Sequence, residues 1–550
     1  MDILLARAEG RVELTVLDER AVPTTETVSV PDLATRVAEL DEPGVRWVWA
    51  DTRVVYPAVL AGGVRVGRCV DLRLCHAILR RSMWTQRSRL TEQPESRWDA
   101  AILPLDDAPT LLDDLGGLDD VPTAEVLAEH RRQSEAITGS DQPGRLRLLT
   151  TAESVGGLIA AEMRQVGLPF DAAAHDRQLT ELLGPRPLPG GRPTHLEQLA
   201  DQIRSMVNAP GLNPDSQPAL LRALRAAGVE VTSTRQWELE GQDHPVVPVL
   251  LQYKKLSRLL TANGWSWVDT WVRDGRFHPD YVPGGVVTGR WATQGGGALQ
   301  LPKQIRAAVA ADPGWRLVVA DAAQLEPRVL AAMSADQAMA KASRGHDLYA
   351  ELVSDGIVAT RPQAKVAMLG ALYGATTGEA GDLMPNLMRA YPVATGLVEQ
   401  AARDGERGRQ VSTWLGRTSP LPGESWQTVQ QRANQPDATA ADERAARRQA
   451  RDWGRFTRNF VVQGTAAEWA LCWMAAVRRD LARLGEPTRR PDLVYFLHDE
   501  IMVHTPAEHA DQVTAIVHAG AAEAGRLLFG DFGVEFAINL AVADTYAEAK

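Results

Sequence analysis

Apolar residues run along this chain in two rhythms, and the points where charge interrupts them predict both the elements and the chemistry. Leu317-Val318-Val319-Ala320 and Val494-Tyr495-Phe496-Leu497 are unbroken apolar runs, with the length of buried strands. The first ends at Asp321, the second at His498-Asp499-Glu500. A carboxylate at the end of a buried strand is costly unless it is paired or bound to a metal. Two such strands side by side predict a metal site, and Mg²⁺ fits best because it takes a few carboxylates together with substrate phosphates. Between these runs the rhythm turns helical. Arg361, Lys365, Leu369 and Tyr373 are spaced four apart, which places two cations, an apolar residue and a ring on one helix face. Pro362 is tolerated only in a first turn, so the helix is predicted to begin near Arg361. Such a face suits a nucleoside triphosphate: cations for the phosphates, leucine and ring for sugar and base.

The same reading organises the rest. Residues 3–7 and 12–17 alternate like paired strands around Glu9-Gly10, and 47–51 read as another strand. Residues 107–146 are rich in Asp, Pro and Gly and predict a linker. Helical periodicity over 153–183 breaks at Gly167-Leu168-Pro169, and 185–193 form a Pro/Gly-rich loop. Leu212-Asn213-Pro214-Asp215-Ser216 reads as a turn and helix cap. A long helix over 246–263 carries Tyr253-Lys254-Lys255-Leu256, and the polar, alanine-rich stretch 427–451 is either a helix or an exposed insertion.

Composition and charge adjust this picture. Net charge is −11, awkward for a nucleic-acid binder, for which distribution matters more than total. Only six lysines occur, at 254, 255, 303, 341, 365 and 550, so Lys254, Lys255 and Lys365 say more than the many arginines. Cys69, Cys75 and Cys472 are too few and too scattered for a disulfide framework or a zinc site. Buried thiols in a reducing cytoplasm follow. No apolar run approaches the ~20 residues of a membrane helix, and the first residues lack the pattern of a signal peptide.

Six motifs, in order, resemble those of family A DNA polymerases, the bacterial polymerase I type. Asp321–Arg328 resembles DYSQIELR, Arg361–Gly374 resembles RRxxKxxxFGxxYG, and His498-Asp499-Glu500 resembles HDE. Thr288-Gly289-Arg290, Leu299-Gln300-Leu301-Pro302 and Ile305-Arg306 resemble TGR…NLQNIP…IR. Thr413-Trp414-Leu415-Gly416-Arg417 resembles TxxGR, and Arg455 to Glu468 resembles RxxxNxxxQGTAAD.

The resemblance implies an α/β multidomain chain: an RNase H-like exonuclease-type domain (1–150), then a right-hand polymerase with thumb (151–285), palm (286–340 and 454–550) and fingers (341–453). It implies primer-template DNA and deoxynucleoside triphosphates as partners, two Mg²⁺ ions (or Mn²⁺), a monomer, and no membrane. Asp321, Asp499 and the carbonyl of Ala322 become metal ligands, with Glu500 behind them. Arg361 and Lys365 become the phosphate clamp. Leu369, Tyr373, Glu326 and Gln324 become the nucleotide pocket, with Glu326 excluding a ribose 2′-hydroxyl. Arg290, Arg455, Asn459, Gln463, His498, Lys254 and Lys255 become DNA contacts. Several positions depart from the pattern: Ala322-Ala323 replace Tyr-Ser, Pro327 replaces a branched aliphatic, Pro362 replaces the second arginine, Leu369 replaces Phe or Tyr, and Tyr349 stands where histidine is common.

The first domain lacks the D-x-E that a two-metal nuclease carries on its opening strand. Asp71 matches one later aspartate at most, so a degenerate nuclease domain is expected. No counterpart of the 5′ nuclease domain of full-length polymerase I is expected. The competing readings are a polymerase with a live exonuclease, a non-catalytic DNA-binding scaffold, and a phage-type RNA polymerase. Glu326 and His498-Asp499-Glu500 argue against the last.

Overall fold

The computed structural model describes all residues except 9–10, 18–23, 100–117, 119, 189, 295–296, 298–300, 346, 375–377, 487–488 and 550. Glu9-Gly10, Leu299-Gln300, Lys550 and part of the expected linker therefore lie outside the described residues. The chain forms two compact units, one of residues 1–166, 280–294 and 318–542, the other of 167–279, 295–317 and 543–550.

The first unit opens with a sheet of β1 (Asp2–Ala8), β2 (Arg11–Leu17), β3 (Thr24–Val28), β4 (Arg46–Trp49) and β5 (Cys69–Asp71), in the order β3-β2-β1-β4-β5. β1, β2 and β3 are antiparallel, and β4 and β5 run parallel to β1. Both faces of β1 are apolar. Ile3 and Leu5 join Trp47, Trp49 and Tyr56 in one core; Leu4 and Ala6 join Val48, Leu72 and Val126 in another. A strand buried on both sides reads as a continuous apolar run, which is the sequence Ile3-Leu4-Leu5-Ala6.

The predicted linker is largely helical where it is described. Helices occupy Thr123–Thr138 and Pro143–Val166. The inward face of the first is Val126, Glu129, Gln133 and Ala136, half of it polar. Glu129 accepts a hydrogen bond from Arg132 and pairs with His76 Nδ1 at 2.8 Å; Gln133 donates to the carbonyl of Leu72 at 2.8 Å. A buried polar stripe satisfied by distant partners looks like a solvated one in sequence.

A second sheet contains β6 (Trp315–Ala322), β7 (Asp492–Leu497), β8 (Glu500–Pro506) and β9 (Ile538–Ala543), in the order β7-β8-β6-β9. β7 and β8 form an antiparallel hairpin closed by His498-Asp499, with Leu497 opposite Glu500. Stretch 427–451, read as a helix or an exposed insertion, is largely helical and mostly exposed. It spans the end of Glu424–Ala433 and the start of a 42-residue helix, Ala440–Leu481. Thr439 and Asp442 form a capping box at the start of that helix. Its apolar window has a mean hydropathy of 1.3, long and apolar enough to cross a membrane, but 83% of that window is buried within the fold. The expected boundary at 453/454 falls inside this one helix.

In the second unit, Val246–Asn263 is a helix over the predicted span, burying Leu250, Tyr253, Leu256 and Leu259. Tyr253 donates to Asp215 at 2.8 Å, and Asn213 accepts from the Asp215 N–H at 3.1 Å. Ser216 stands at the N-cap position of Gln217–Ala226, and its hydroxyl makes no capping bond. Lys254 is turned inward, bonding the carbonyl and, at 2.9 Å, the hydroxyl of Thr234. Lys255 is exposed.

Candidate active site

The second sheet brings the two predicted carboxylates together. The N–H of Ala322 donates to the carbonyl of Asp499 at 2.9 Å, which ties the end of β6 to the turn between β7 and β8. The turn is held from beneath by Tyr281, whose hydroxyl accepts from the Phe496 N–H at 3.0 Å and donates to the Phe496 carbonyl at 2.8 Å. Burial, and then the charge of Asp321, push the Asp499 carboxyl up to about 7. Glu500, first residue of β8, is buried.

Two residues here adopt a left-handed backbone, Gln324 (φ 49°) and His498 (φ 58°). Such conformations cost about 1–3 kcal/mol off glycine and cluster at functional sites. The surroundings fix the first of them. The buried Arg328 guanidinium donates to the carbonyls of Ala323 (2.8 Å), Ser343 (2.6 Å), Glu535 (2.5 Å) and Gly345 (2.8 Å). It is the last residue of the first motif, and its role is internal: it clamps the chain just after Asp321.

The helix Arg361–Tyr373 begins at the predicted residue. Thr360 caps it, Pro362 lies in its first turn, and Gly374 ends it with φ 69°. The predicted stripe faces outward: Arg361 and Lys365 are exposed, Leu369 and Tyr373 half-buried. Tyr373 donates to Glu326 at 2.7 Å, and Arg290 bonds the other carboxylate oxygen. Burial, reinforced by this bond, pushes the Tyr373 hydroxyl up to about 12. Three residues from separate motifs, Arg290, Glu326 and Tyr373, therefore form one cluster. Arg361 is engaged by Asp347, which accepts its Nε at 2.6 Å. Asp347 also accepts from Gln324 at 3.0 Å and caps Leu348–Ser354. Although burial opposes it, Arg361 and the capping N–H groups hold the Asp347 carboxyl below its ordinary value. Sequence reasoning missed Asp347, Tyr281 and Arg328; a helix-cap reading of Asp347-Leu348-Tyr349 was the one available signal.

The 42-residue helix carries Arg455, Asn459 and Gln463. Arg455 is exposed and paired with Asp452. Among the described residues, the Asn459 amide oxygen and the Thr288 hydroxyl are buried without a hydrogen-bond partner. Thr413 and Leu415 of the TxxGR segment bond Glu468, and Arg417 pairs at 2.7 Å with the buried Glu153. These two motifs hold each other together.

A second set of carboxylates sits at the end of the first sheet. Asp71 accepts the N–H groups of Thr52 and Leu74, each at 2.8 Å. Asp51 accepts the Arg53 N–H at 2.9 Å and pairs with the buried Arg73 guanidinium at 2.6 Å. Burial and then Asp51 push Asp71 up to about 6.

The raised Asp499 carboxyl has a consequence for stability. A carboxyl with its folded pKa above the unfolded value favours the fold when protonated. Its contribution is therefore lost as pH rises from about 4 through about 7. In metal-free protein, Asp499→Asn is expected to match wild type near pH 4 and to be more stable by about 1–3 kcal/mol at pH 8. Thermal unfolding in EDTA at both pH values checks this; equal melting temperatures at pH 8 would contradict it.

The fold these elements build is that of a polymerase domain. It matches the POL domain of Pol1 from M. smegmatis, solved in complex with DNA primer-template and dNTP, with a TM-score of 0.69 at 17% identity, over 100% of this chain and 95% of that one. The family model of DNA polymerase family A matches residues 195–548, and the chain belongs to that family. It is 27% identical over 359 residues to DNA polymerase I of Chloroflexus aurantiacus, covering 60% of this chain and 35% of that protein. To the thermostable DNA polymerase I of Thermus thermophilus it is 27% identical over 441 residues, covering 72% of this chain and 48% of that protein. The chain spans between a third and a half of the length of these curated relatives.

Proposed function

We propose that this protein extends a DNA primer on a template with deoxynucleoside triphosphates, and that it does not proofread. The observation that carries the reading is the juxtaposition of Asp321 and Asp499 beside the Arg290–Glu326–Tyr373 cluster. The donor set fits Mg²⁺. Asp321, Asp499 and the Ala322 carbonyl offer oxygen donors alone. Mg²⁺ prefers such a site, keeping places for water and substrate phosphates. Asp321, Asp499 and the Ala322 carbonyl would hold two Mg²⁺ ions, or Mn²⁺ in their place, and the metal supplies charge neutralisation for the attacking and leaving oxygens.

The chain's own residues position the reactants. Arg361 and Lys365 project from one helix face toward the β- and γ-phosphates and offset the charge that develops on the leaving group. Arg361 first leaves Asp347. That exposed pair is worth no more than about 1 kcal/mol, so a polyanion competes for the guanidinium easily. Glu326, held by Arg290 and Tyr373, walls the sugar pocket. Leu369 lies along the same stripe. Asn459, Gln463, Arg455 and His498 line the primer-template path; Lys255 grips duplex, and Lys254 supports the helix that carries it.

The first sheet supports an RNase H-like reading of residues 1–150. What supports it is the strand order β3-β2-β1-β4-β5, with three antiparallel strands and two parallel strands added beside β1. Its carboxylates support a nuclease that has lost its metals. Asp71 is committed to N–H groups of the chain, and Arg73 supplies Asp51 with the positive charge a metal would bring. One assay tests both halves of the proposal. With Mg²⁺ and nucleotides, a matched primer is expected to grow. With a 3′-mismatched primer, Mg²⁺ or Mn²⁺ and no nucleotides, its length is expected to stay constant. No extension with either metal would favour the scaffold reading. Shortening that survives Asp499→Ala would restore the live exonuclease.

A further inference from the structure

Residues remote from the paired aspartates enclose a cavity of about 510 Å³ in the first unit, within the range of about 300–1,000 Å³ typical of small-molecule sites. Its floor is apolar: Leu148, Val155, Ile159, Ala476 and Leu493. Its charged groups are five arginines (65, 68, 478, 479 and 490) against three carboxylates, Glu162, Asp492 and Glu523. That excess stands out on a chain of net charge −11.

Two of the carboxylates are already neutralised. Glu162 takes both a 2.6 and a 2.8 Å bond from Arg478, plus the Tyr56 hydroxyl at 2.7 Å. Glu523 takes Arg479 at 2.6 and 2.8 Å. The third, Asp492, bonds Arg65 at 2.5 Å and stands 3.7 Å from Arg490. One carboxylate thus serves two guanidinium groups, and Arg490 is only 25% exposed. Burial and the neighbouring Arg65 lower the pKa of Arg490 against the opposing pull of Asp492 and Glu162. Asp492 opens β7, and the candidate active-site turn closes it, roughly 17 Å away at ~3.3 Å per residue.

We propose that this cavity binds a small amphipathic organic acid, its carboxylate or phosphate head on Arg490 and Arg65 and its aliphatic or aromatic body on the apolar floor. The head completes the charge balance that Asp492 leaves half-made, and a bidentate guanidinium contact suits a planar carboxylate. A free inorganic anion would leave the floor uncovered, and an amine would meet two cations.

The probe is 8-anilinonaphthalene-1-sulfonate, followed by fluorescence on the whole chain. One saturable site is expected, displaced by decanoate or by 1-naphthoate; the stronger of the two identifies the body as aliphatic or aromatic. Decylamine and inorganic phosphate are expected not to displace it. Arg490→Gln should weaken the probe about tenfold, and Ala475→Phe, which fills the cavity from its wall, should remove the site. Melting temperature and primer extension should stay as in wild type for both. Equal displacement by decylamine, displacement by phosphate alone, or an unchanged probe affinity in folded Arg490→Gln would each overturn the assignment. Should Ala475→Phe fail to fold, Arg490→Gln decides the matter alone.

Discussion

Asp321→Ala and Asp499→Ala are each expected to lower the primer-extension rate at least about a thousandfold while duplex binding stays within a few-fold of wild type. Each aspartate is one of only two side-chain ligands in the proposed metal site. Losing a ligand removes about 4 kcal/mol or more of transition-state stabilisation, and each 1.4 kcal/mol is roughly tenfold in rate. The fold gives no reason for binding to fail. Asp499 is a buried carboxyl raised to about 7, so its removal relieves repulsion rather than leaving a partner stranded. Apart from His498, in the same turn as Asp499, the groups proposed to touch DNA lie on other elements. Single-turnover extension and a separate duplex-binding titration check the two halves. A variant keeping more than a tenth of wild-type rate would show that the carboxylates do not hold the reacting metals.

Glu326→Ala is expected to raise ribonucleotide use relative to deoxyribonucleotide use by roughly a hundredfold or more. A walled pocket that leaves a 2′-hydroxyl no room discriminates by about 3 kcal/mol. The wall here is stiff, since Tyr373 donates to one Glu326 oxygen at 2.7 Å and Arg290 bonds the other. Glu326→Gln separates shape from charge: it fills nearly the same volume without the ion pair and should keep most of the discrimination. kcat/KM for the ribo and deoxy forms of one nucleotide gives the ratio. An alanine variant that still rejects ribonucleotides as wild type does would place the gate elsewhere.

What the sequence made legible is what local pattern encodes. The helix Arg361–Tyr373 announced itself by a fourfold stripe, a proline in its first turn and a glycine at its end. The hairpin around His498-Asp499 announced itself by apolar runs stopped by charge. The rest depended on partners far away in the chain. Lys254 reads as a surface cation and is bound to Thr234. Arg361 reads as free and is engaged by Asp347. The Thr123–Thr138 helix reads as linker because Glu129 and Gln133 face inward, and nothing nearby reveals that His76 and Leu72 satisfy them. Arg73 is one arginine among many until it is seen against Asp51.

The helix Ala440–Leu481 is about 63 Å long at 1.5 Å per residue. For anyone building chimeras from relatives of this chain, it forbids the obvious crossover point. A splice at 453/454 would join half-helices whose buried faces were shaped by different parents, in the stretch that carries Arg455 and Asn459. Breakpoints in the loop before Glu424, or in the turn between Ala433 and Ala440, exchange whole elements instead and leave the rod, with the residues on it proposed to face DNA, from a single parent.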